Sequence, residues 1–505
     1  MNKIFGAILV TLLFNVSFAQ NFNRPVTDEM FPYEFQLVDS TLEFYYAIGM
    51  YRLSSIPSDA NYIRPKAVIL DPEGYNVWYG TEPNARTMTN FKYDSVSGEF
   101  LVVERISSVG TPTVIDSNFN ITNQLSVVNA DYIDPHEFYQ LADGNYVLFA
   151  IKDSVIDLSG YMFDGAPGDS ASICYCNVLE VVDASNNLLW DWNSCEHIHP
   201  SEGYDFYGYD NGGYDYAHFN SVYEDDDGHL LVSFRHLNSV VKIDRNTGNI
   251  IWQLGGKSND FTFTNDVGFT AQHHAERRSS GNISVLDNGN MFGPPERSRA
   301  VEYILDTTLW TATLVDEYLP SPTIYSHATG SYHRWYNSKV IDFGRVQRPD
   351  PSIVVTDELN QIQALVYFKD SIMSYRVQPF LPKFSFTRPS VSCLDSAGSS
   401  YLIAESGHSS YLWSTGETTQ TIQPLIDSVY QVWVPQGIGK VSSLPVHFNN
   451  ASCSPVSVNE INTSPPTLIR TVDLLGRVVG RKKSGQVYID IYSDGSVKKT
   501  VQLEH

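Results

Sequence analysis

Apolar and polar positions alternate in short runs along most of this chain, and turn residues punctuate the runs. The clearest stretch is HFNSVYEDDDGHLLVSFRHLNSVVKIDRNTGNIIWQLGG, from His218 to Gly256. Period-two alternation puts one face of each run against a core and predicts β-strands. Asp226-Asp227-Gly228 and Asn246-Thr247-Gly248 fall between runs, where hairpins turn. The stretch therefore predicts about four short strands in one unit. Weaker copies start at His136 (HEFYQLADGNYVLFAI, resuming as NVLEVVDASNNLLWDWN), at His273 (HHAERRSSGNISVLDNGN, then SRAVEYILD) and at His327 (HATGSYHRWYNSKVIDFG, then PSIVVTDELNQIQALVYF). Upstream, AVILDPEGYNVWY and KYDSVSGEFLVVE read as two more. That makes roughly six units, ending near Phe384.

Repeats of this size are propeller blades, so the fold class is all-β, with a six-bladed β-propeller as its main body. Blades surround a central channel, so histidines at the same point of several repeats converge on one axis. The pattern changes after Phe386. Residues 387–455, with YLIAESGHSSYLWSTGETTQTIQPLIDSVYQVWVP, read as a sandwich with Trp413 as a core candidate, and resemble the immunoglobulin-like modules near the ends of exported Bacteroidetes proteins. A polar, Pro-bearing linker, Ile461 to Thr467, follows. The last part of the 456–505 stretch resembles a C-terminal sorting domain of the type IX secretion system, on Asp473-Leu474-Leu475-Gly476-Arg477 and the closing pattern from Tyr492 through Asp494-Gly495 to Lys499. That resemblance implies the type IX secretion machinery as a partner.

Aromatic residues make up 13% of the chain, and 33 Gly with 25 Pro supply turns, which fits strands better than helices. The net charge of −24 repels phosphate backbones and anionic membrane surfaces, so no nucleic acid partner is expected. Residues 1–19 read as a signal peptide: Lys3, an apolar stretch from Ile4 to Val16, and Ser17-Phe18-Ala19 before a mature start at Gln20. No later segment reaches the ~20 apolar residues of a membrane helix, so the mature chain is expected to be soluble and exported, in the periplasm in transit and then at the cell surface or outside. Export permits disulfides. Cys393 and Cys453 bracket one small region and are paired; Cys195 pairs with Cys174 or Cys176, leaving one thiol over.

From Asp215 to Asp306 four pieces stand in order: DYAHFNSV, LLVSFRHLNSVVKIDRNTGNIIWQLGG, FTAQHHAERRSSGNISVLDNGN and SRAVEYILD. Together they resemble the arylsulfotransferases, over roughly residues 130 to 384, within a propeller body of 20–386. The resemblance implies transfer of a sulfuryl group from a phenolic sulfate ester to a phenolic acceptor, with no nucleotide sulfate and no cofactor. A histidine attacks sulfur, carries the group as a sulfohistidine, and passes it on. Neutral imidazole is a competent nucleophile near neutral pH, Arg and protonated His suit the sulfuryl oxygens, and a second His can protonate the leaving phenolate.

Carried onto this sequence, the resemblance gives His218 in DYAHFNSV as an active-site histidine, with Asn220 orienting ring or substrate. His273 in AQHHAE matches a second, and His274 beside it faces the other way on a strand. Arg297 and Arg299 are candidates for the family's arginine; Arg299 is equally a structural ion pair with Glu302. The sulfate-carrying histidine lies later, where this chain offers His327 and His333. His327 opens its repeat as His218 and His273 do and is taken as the substitute, and the channel argument adds His136. The catalytic set is then His218, His273, His327 and Arg299, with His136, Asn220, His274, His333 and Arg297 binding substrate. A metal is not expected, although converging imidazoles and His197-Ile198-His199 allow one. Asp225-Asp226-Asp227 reads as a solvated turn. The competing reading is a non-catalytic surface propeller that binds a ligand or glycan.

Overall fold

A computed structural model of the chain describes residues 24–27, 29–52, 67–80, 87–106, 109–163, 166–204, 209–210, 213–291, 293–368, 372–396, 399–424, 427–449, 452–455, 468–473, 479, 487–492 and 497–501. The expected signal peptide, 1–19, and the expected linker, Ile461 to Thr467, lie outside the described residues. The chain divides into two compact units, Met1–Asn459 and Glu460–His505.

The first unit is nearly all-β. Six strands follow one another in a closed ring: β1 (Thr87–Tyr93), β2 (Tyr132–Gln140), β3 (Phe219–Glu224), β4 (His273–Arg277), β5 (Ser331–Trp335) and β6 (Ile372–Phe380). Each packs against the next, and β6 packs against β1. Each also opens an antiparallel ladder. β3, for example, pairs with Leu230–Phe234, that strand with Ser239–Ile243, and that in turn with Ile250–Gly255. β4 continues through Ile283–Asp287 and Arg299–Asp306 to Thr311–Tyr318. This is a propeller-like all-β fold.

Sequence dictates these ladders in two ways. The alternating apolar side chains fill the space between neighbouring sheets. Phe149, Val181 and Phe219 share one cluster with Phe234 and Val241, and Leu231 and Trp252 share the next with Ile283 and Val301. Aspartates start the turns: Asp71 Oδ1 accepts from the Tyr75 N–H at 2.8 Å, and Asp244 Oδ1 accepts from the Asn246 N–H at 2.8 Å. Gly228 and Gly248 close such turns at φ of 79° and 75°, where a side chain would be strained.

The N-terminal strands are used differently from the sequence expectation. AVILDPEGYNVWY forms the hairpin Val68–Leu70 with Asn76–Gly80, but this is no unit of its own. It joins β6 through Tyr45–Arg52, and so completes the ladder that the end of the ring begins. Likewise Tyr33–Leu37 adds to Ile362–Phe368 at the outer edge of the β5 sheet. Strands from before and after the ring's other ladders are thus tied together by backbone hydrogen bonds, which closes the ring non-covalently.

Within 387–455 two three-stranded sheets pack around Leu402, Trp413, Ile422, Val432 and Phe448, with Trp413 fully buried, while Leu412–Trp413 and Val432–Gln436 join Gly439–Ser442 in the β6 sheet. The strand Gly439–Ser442 pairs with Asn76–Gly80, so this region extends the β6 sheet. The second unit holds one antiparallel sheet, Leu468–Asp473, Val487–Tyr492 and Val497–Val501. Among the described residues no helix is long and apolar enough to cross a membrane. Cys195 is bonded to Cys176, and Cys174 is the buried free thiol. Cys393 is disulfide-bonded, while the side chain of Cys453 lies outside the described residues.

Candidate active site

Two histidine clusters sit on the ring strands. The first is built where β2 and β3 run side by side. His218 immediately precedes β3 with φ of 50°, a conformation that costs a non-glycine residue about 1–3 kcal/mol. The backbone holds it there: Arg235 N–H donates to the His218 carbonyl at 2.9 Å, and His236 N–H to the Ala217 carbonyl at 3.0 Å. Those two bonds bring the turn after Leu230–Phe234 over the start of β3, which is why the His236 ring stacks on the His218 ring at 4.3 Å. The entry loop is pinned by Tyr216, whose buried hydroxyl donates to Ser194 Oγ at 2.8 Å.

Asp215 hydrogen-bonds Nδ1 of His218. Asp134 holds Nδ1 of His136 at 2.6 Å, and the His136 and His218 rings are 4.8 Å apart, edge to face. Neither Nε2 has a hydrogen-bond partner among the described residues. Burial pushes the Asp215 carboxyl up, but His218, then His236 and His136, pull it net well below the usual carboxylate range. Burial, helped by the neighbouring His218, holds His236 well below the ordinary imidazole value. The Arg235 guanidinium donates to the His327 carbonyl at 2.9 Å, which sets an arginine and an exposed histidine beside this cluster. Partial burial, with Arg345 and Arg235, lowers His327 to about 4, so it is neutral at pH 7.

The second cluster lies further along the ring strands. His274 and Glu276 of β4 and His333 of β5 line a cavity of about 370 Å³ with Lys92, Tyr223 and Arg376. His274 Nε2 is 3.1 Å from Glu276 Oε1, and His333 Nδ1 is 3.4 Å from the same oxygen. Arg376 ties the ring across this level: its guanidinium donates to Glu137 Oε2 at 2.6 Å, Asn90 Oδ1 at 2.8 Å and the Asn220 carbonyl at 2.8 Å. Burial opposes ionisation of Glu137, but Arg376 and Lys92 win and hold it down at about 2.

The structure thus brings His136 and His218 together, and beside them His236, Asp215, Asp134 and Arg235. Three expected site residues have their polar atoms engaged within the protein. His273 is buried, its Nδ1 donating to Asn288 Oδ1 at 2.7 Å and its Nε2 accepting from the Thr329 N–H at 3.1 Å, so neither ring nitrogen is open. Asn220 spends its amide between strands, donating to the Gln272 carbonyl at 2.7 Å. Arg299 faces Asp266, Asp287 and Glu317 at 2.9 Å each, which corrects both the substrate-facing role and the expected pairing with Glu302. Arg297 makes no hydrogen bond or ion pair to either cluster among the described residues. His274 and His333, expected to bind substrate, lie together with Glu276 in the second cluster. The repeat argument does not reach His236, which sits inside a unit and not at its start; the RHLN turn between two alternating runs is its one sequence signal.

Residues 109–350 match the family model described as arylsulfotransferase (ASST). The matched span is just under half of the chain and contains every histidine of both clusters. It supports a sulfotransferase-like function and a transferase at that coarse level. No curated protein matches the chain. Among solved structures, a protein of unknown function from Bacteroides caccae is similar at 12% identity, covering 67% of this chain and 98% of its own, with a TM-score of 0.42. A virginiamycin B lyase from Staphylococcus aureus is similar at 10% identity over 73% and 95%, with a TM-score of 0.34. A protein described as a putative 6-phosphogluconolactonase from Bacteroides fragilis is similar at 10% identity over 83% and 97%, with a TM-score of 0.37. These are distant likenesses.

Proposed function

We propose that this chain is a six-bladed propeller that moves a sulfuryl group from a phenolic sulfate ester to a phenolic acceptor, with His218 as the carrier. The observation that carries the reading is the facing pair of carboxylate-anchored imidazoles, His218 on Asp215 and His136 on Asp134, with rings 4.8 Å apart. A carboxylate on Nδ1 fixes the tautomer with the proton on Nδ1 and the lone pair on Nε2. Nε2 of His218 attacks sulfur, the N–S bond forms, and the S–O bond to the aryl group breaks. His136 in its protonated form gives a proton to the departing phenolate. In the second half the acceptor phenol returns a proton to His136, its oxygen attacks sulfur, and the N–S bond breaks. Arg235 supplies positive charge for the sulfuryl oxygens.

The test is intact-protein and peptide mass spectrometry after brief exposure to nitrophenyl sulfate without acceptor. The expected result is one added sulfuryl group on the peptide carrying His218, absent from His218→Ala and discharged by added phenol. Saturable binding of the sulfate ester with no covalent adduct would instead favour a non-catalytic binding propeller.

A further inference from the structure

We propose that His274, Glu276 and His333 form a binding site for a divalent transition metal of the zinc class at the wall of the inner cavity. None of these residues is used by the sulfuryl transfer proposed at His136 and His218, so the two readings stand or fall separately.

The geometry comes from a slip in one ladder. Pairing of β4 with Ile283–Asp287 is irregular between His273 and Glu276, and His274 takes φ of 57°. His274 and Glu276 then share one side of the strand, and His333 arrives from β5 with its ring 4.2 Å from that of His274. One donor atom from each residue lies within 4.8 Å of the others. Two imidazoles and one carboxylate make a borderline set that suits zinc and its neighbours rather than calcium or magnesium.

The surroundings are those of ligands held for a metal. Nδ1 of His274 lies 3.1 Å from the Tyr332 carbonyl and 3.4 Å from the Tyr332 N–H, so the backbone of Tyr332 orients the ring and turns Nε2 toward Glu276, which is the outer support ligating histidines ordinarily have. Arg278 donates to Glu276 Oε2 at 2.8 Å, which orients the carboxylate and leaves Oε1 toward both rings. His333 is buried, and its Nε2 has no hydrogen-bond partner, an unsatisfied polar atom in a wall of the cavity. Three protein ligands beside an open volume of about 370 Å³ leave a further coordination position for water or a ligand. Among the described residues a second grouping of this kind, Asp215 with His218 and His236, spends Nδ1 of both histidines on Asp215, one on its carboxylate and one on its backbone carbonyl.

The experiment uses the full chain, stripped with a chelator and titrated with Co²⁺. The expected result is one Co²⁺ per chain with visible d–d absorption, displaced by Zn²⁺. Glu276→Gln and His333→Gln each weaken binding by ten-fold or more while circular dichroism stays native, and His218→Ala leaves it unchanged. Absence of stoichiometric binding by the wild-type chain would overturn the proposal, as would binding that survives in a natively folded His274→Gln, His333→Gln double variant or disappears in His218→Ala.

Discussion

The Asp215 carboxylate rests on Nδ1 of His218, three residues away in a loop that ends where β3 begins. The pair sets both the charge and the direction of the imidazole. Asp215→Asn keeps the shape and removes the charge, so the amide can present its N–H to Nδ1 and reverse the tautomer. Turnover of nitrophenyl sulfate should then fall about 10²- to 10⁴-fold with little change in melting temperature. A variant with wild-type kcat would remove His218 from the carrier role.

Arg299 gives the opposite expectation. Its guanidinium is enclosed by Asp266, Asp287, Glu317 and the Gly268 carbonyl. Arg299→Met strands carboxylates that are largely buried, and loss of one partner from such a network costs about 3–5 kcal/mol. Denaturant titration should show that loss, while KM for the sulfate ester, measured on the folded fraction, stays put. A raised KM with unchanged stability would return Arg299 to the substrate site.

These contrasts show what the sequence carried and what it did not. Alternation and Asp-led turns made the strands of the His218–Gly256 unit readable, because period two and turn chemistry are local properties. The assignment of Val68–Gly80 was not readable, since a hairpin looks the same whether it founds a ladder or completes a distant one. His136 and His218 were found from their repeat positions. His236 and Asp215 were not, because stacking on His218 depends on a turn folding over a neighbouring strand. His273 and His218 occupy like positions in sequence, yet one has both nitrogens spent and the other has one open. That difference is set by Asn288 and Thr329, from elsewhere in the chain.

Asp342 makes stability depend on pH. It is fully buried at the end of Ser338–Asp342, where burial raises its carboxyl to about 7 despite hydrogen bonds from Ser374 and Gly344. In the unfolded chain the value is the ordinary 3.8. Between those values the folded chain keeps a proton that the unfolded chain has lost, so the contribution of Asp342 falls as pH rises through that window. Asp342→Asn removes the titration. The melting temperature of the variant minus that of the wild type should therefore increase from pH 5 to pH 8 and level off above. Parallel profiles across that range would show that Asp342 is ionised throughout.

The last prediction concerns export. Glu460–His505 is a compact unit with its own antiparallel sheet, and we propose that it serves as a sorting signal. A unit with its own ladder needs little from its neighbour, so deleting Thr467 to His505 should cost the rest of the chain about 1 kcal/mol or less, under about 3 °C in melting temperature. The loss should appear in location instead. A leading signal peptide brings a chain only to the periplasm, and a second signal is needed to cross the outer membrane. In the native host the truncated protein should accumulate in the periplasmic fraction while the full chain reaches the surface or the medium. Surface delivery of the truncation would refute the sorting role. A large fall in melting temperature would show instead that the segment is part of the main fold.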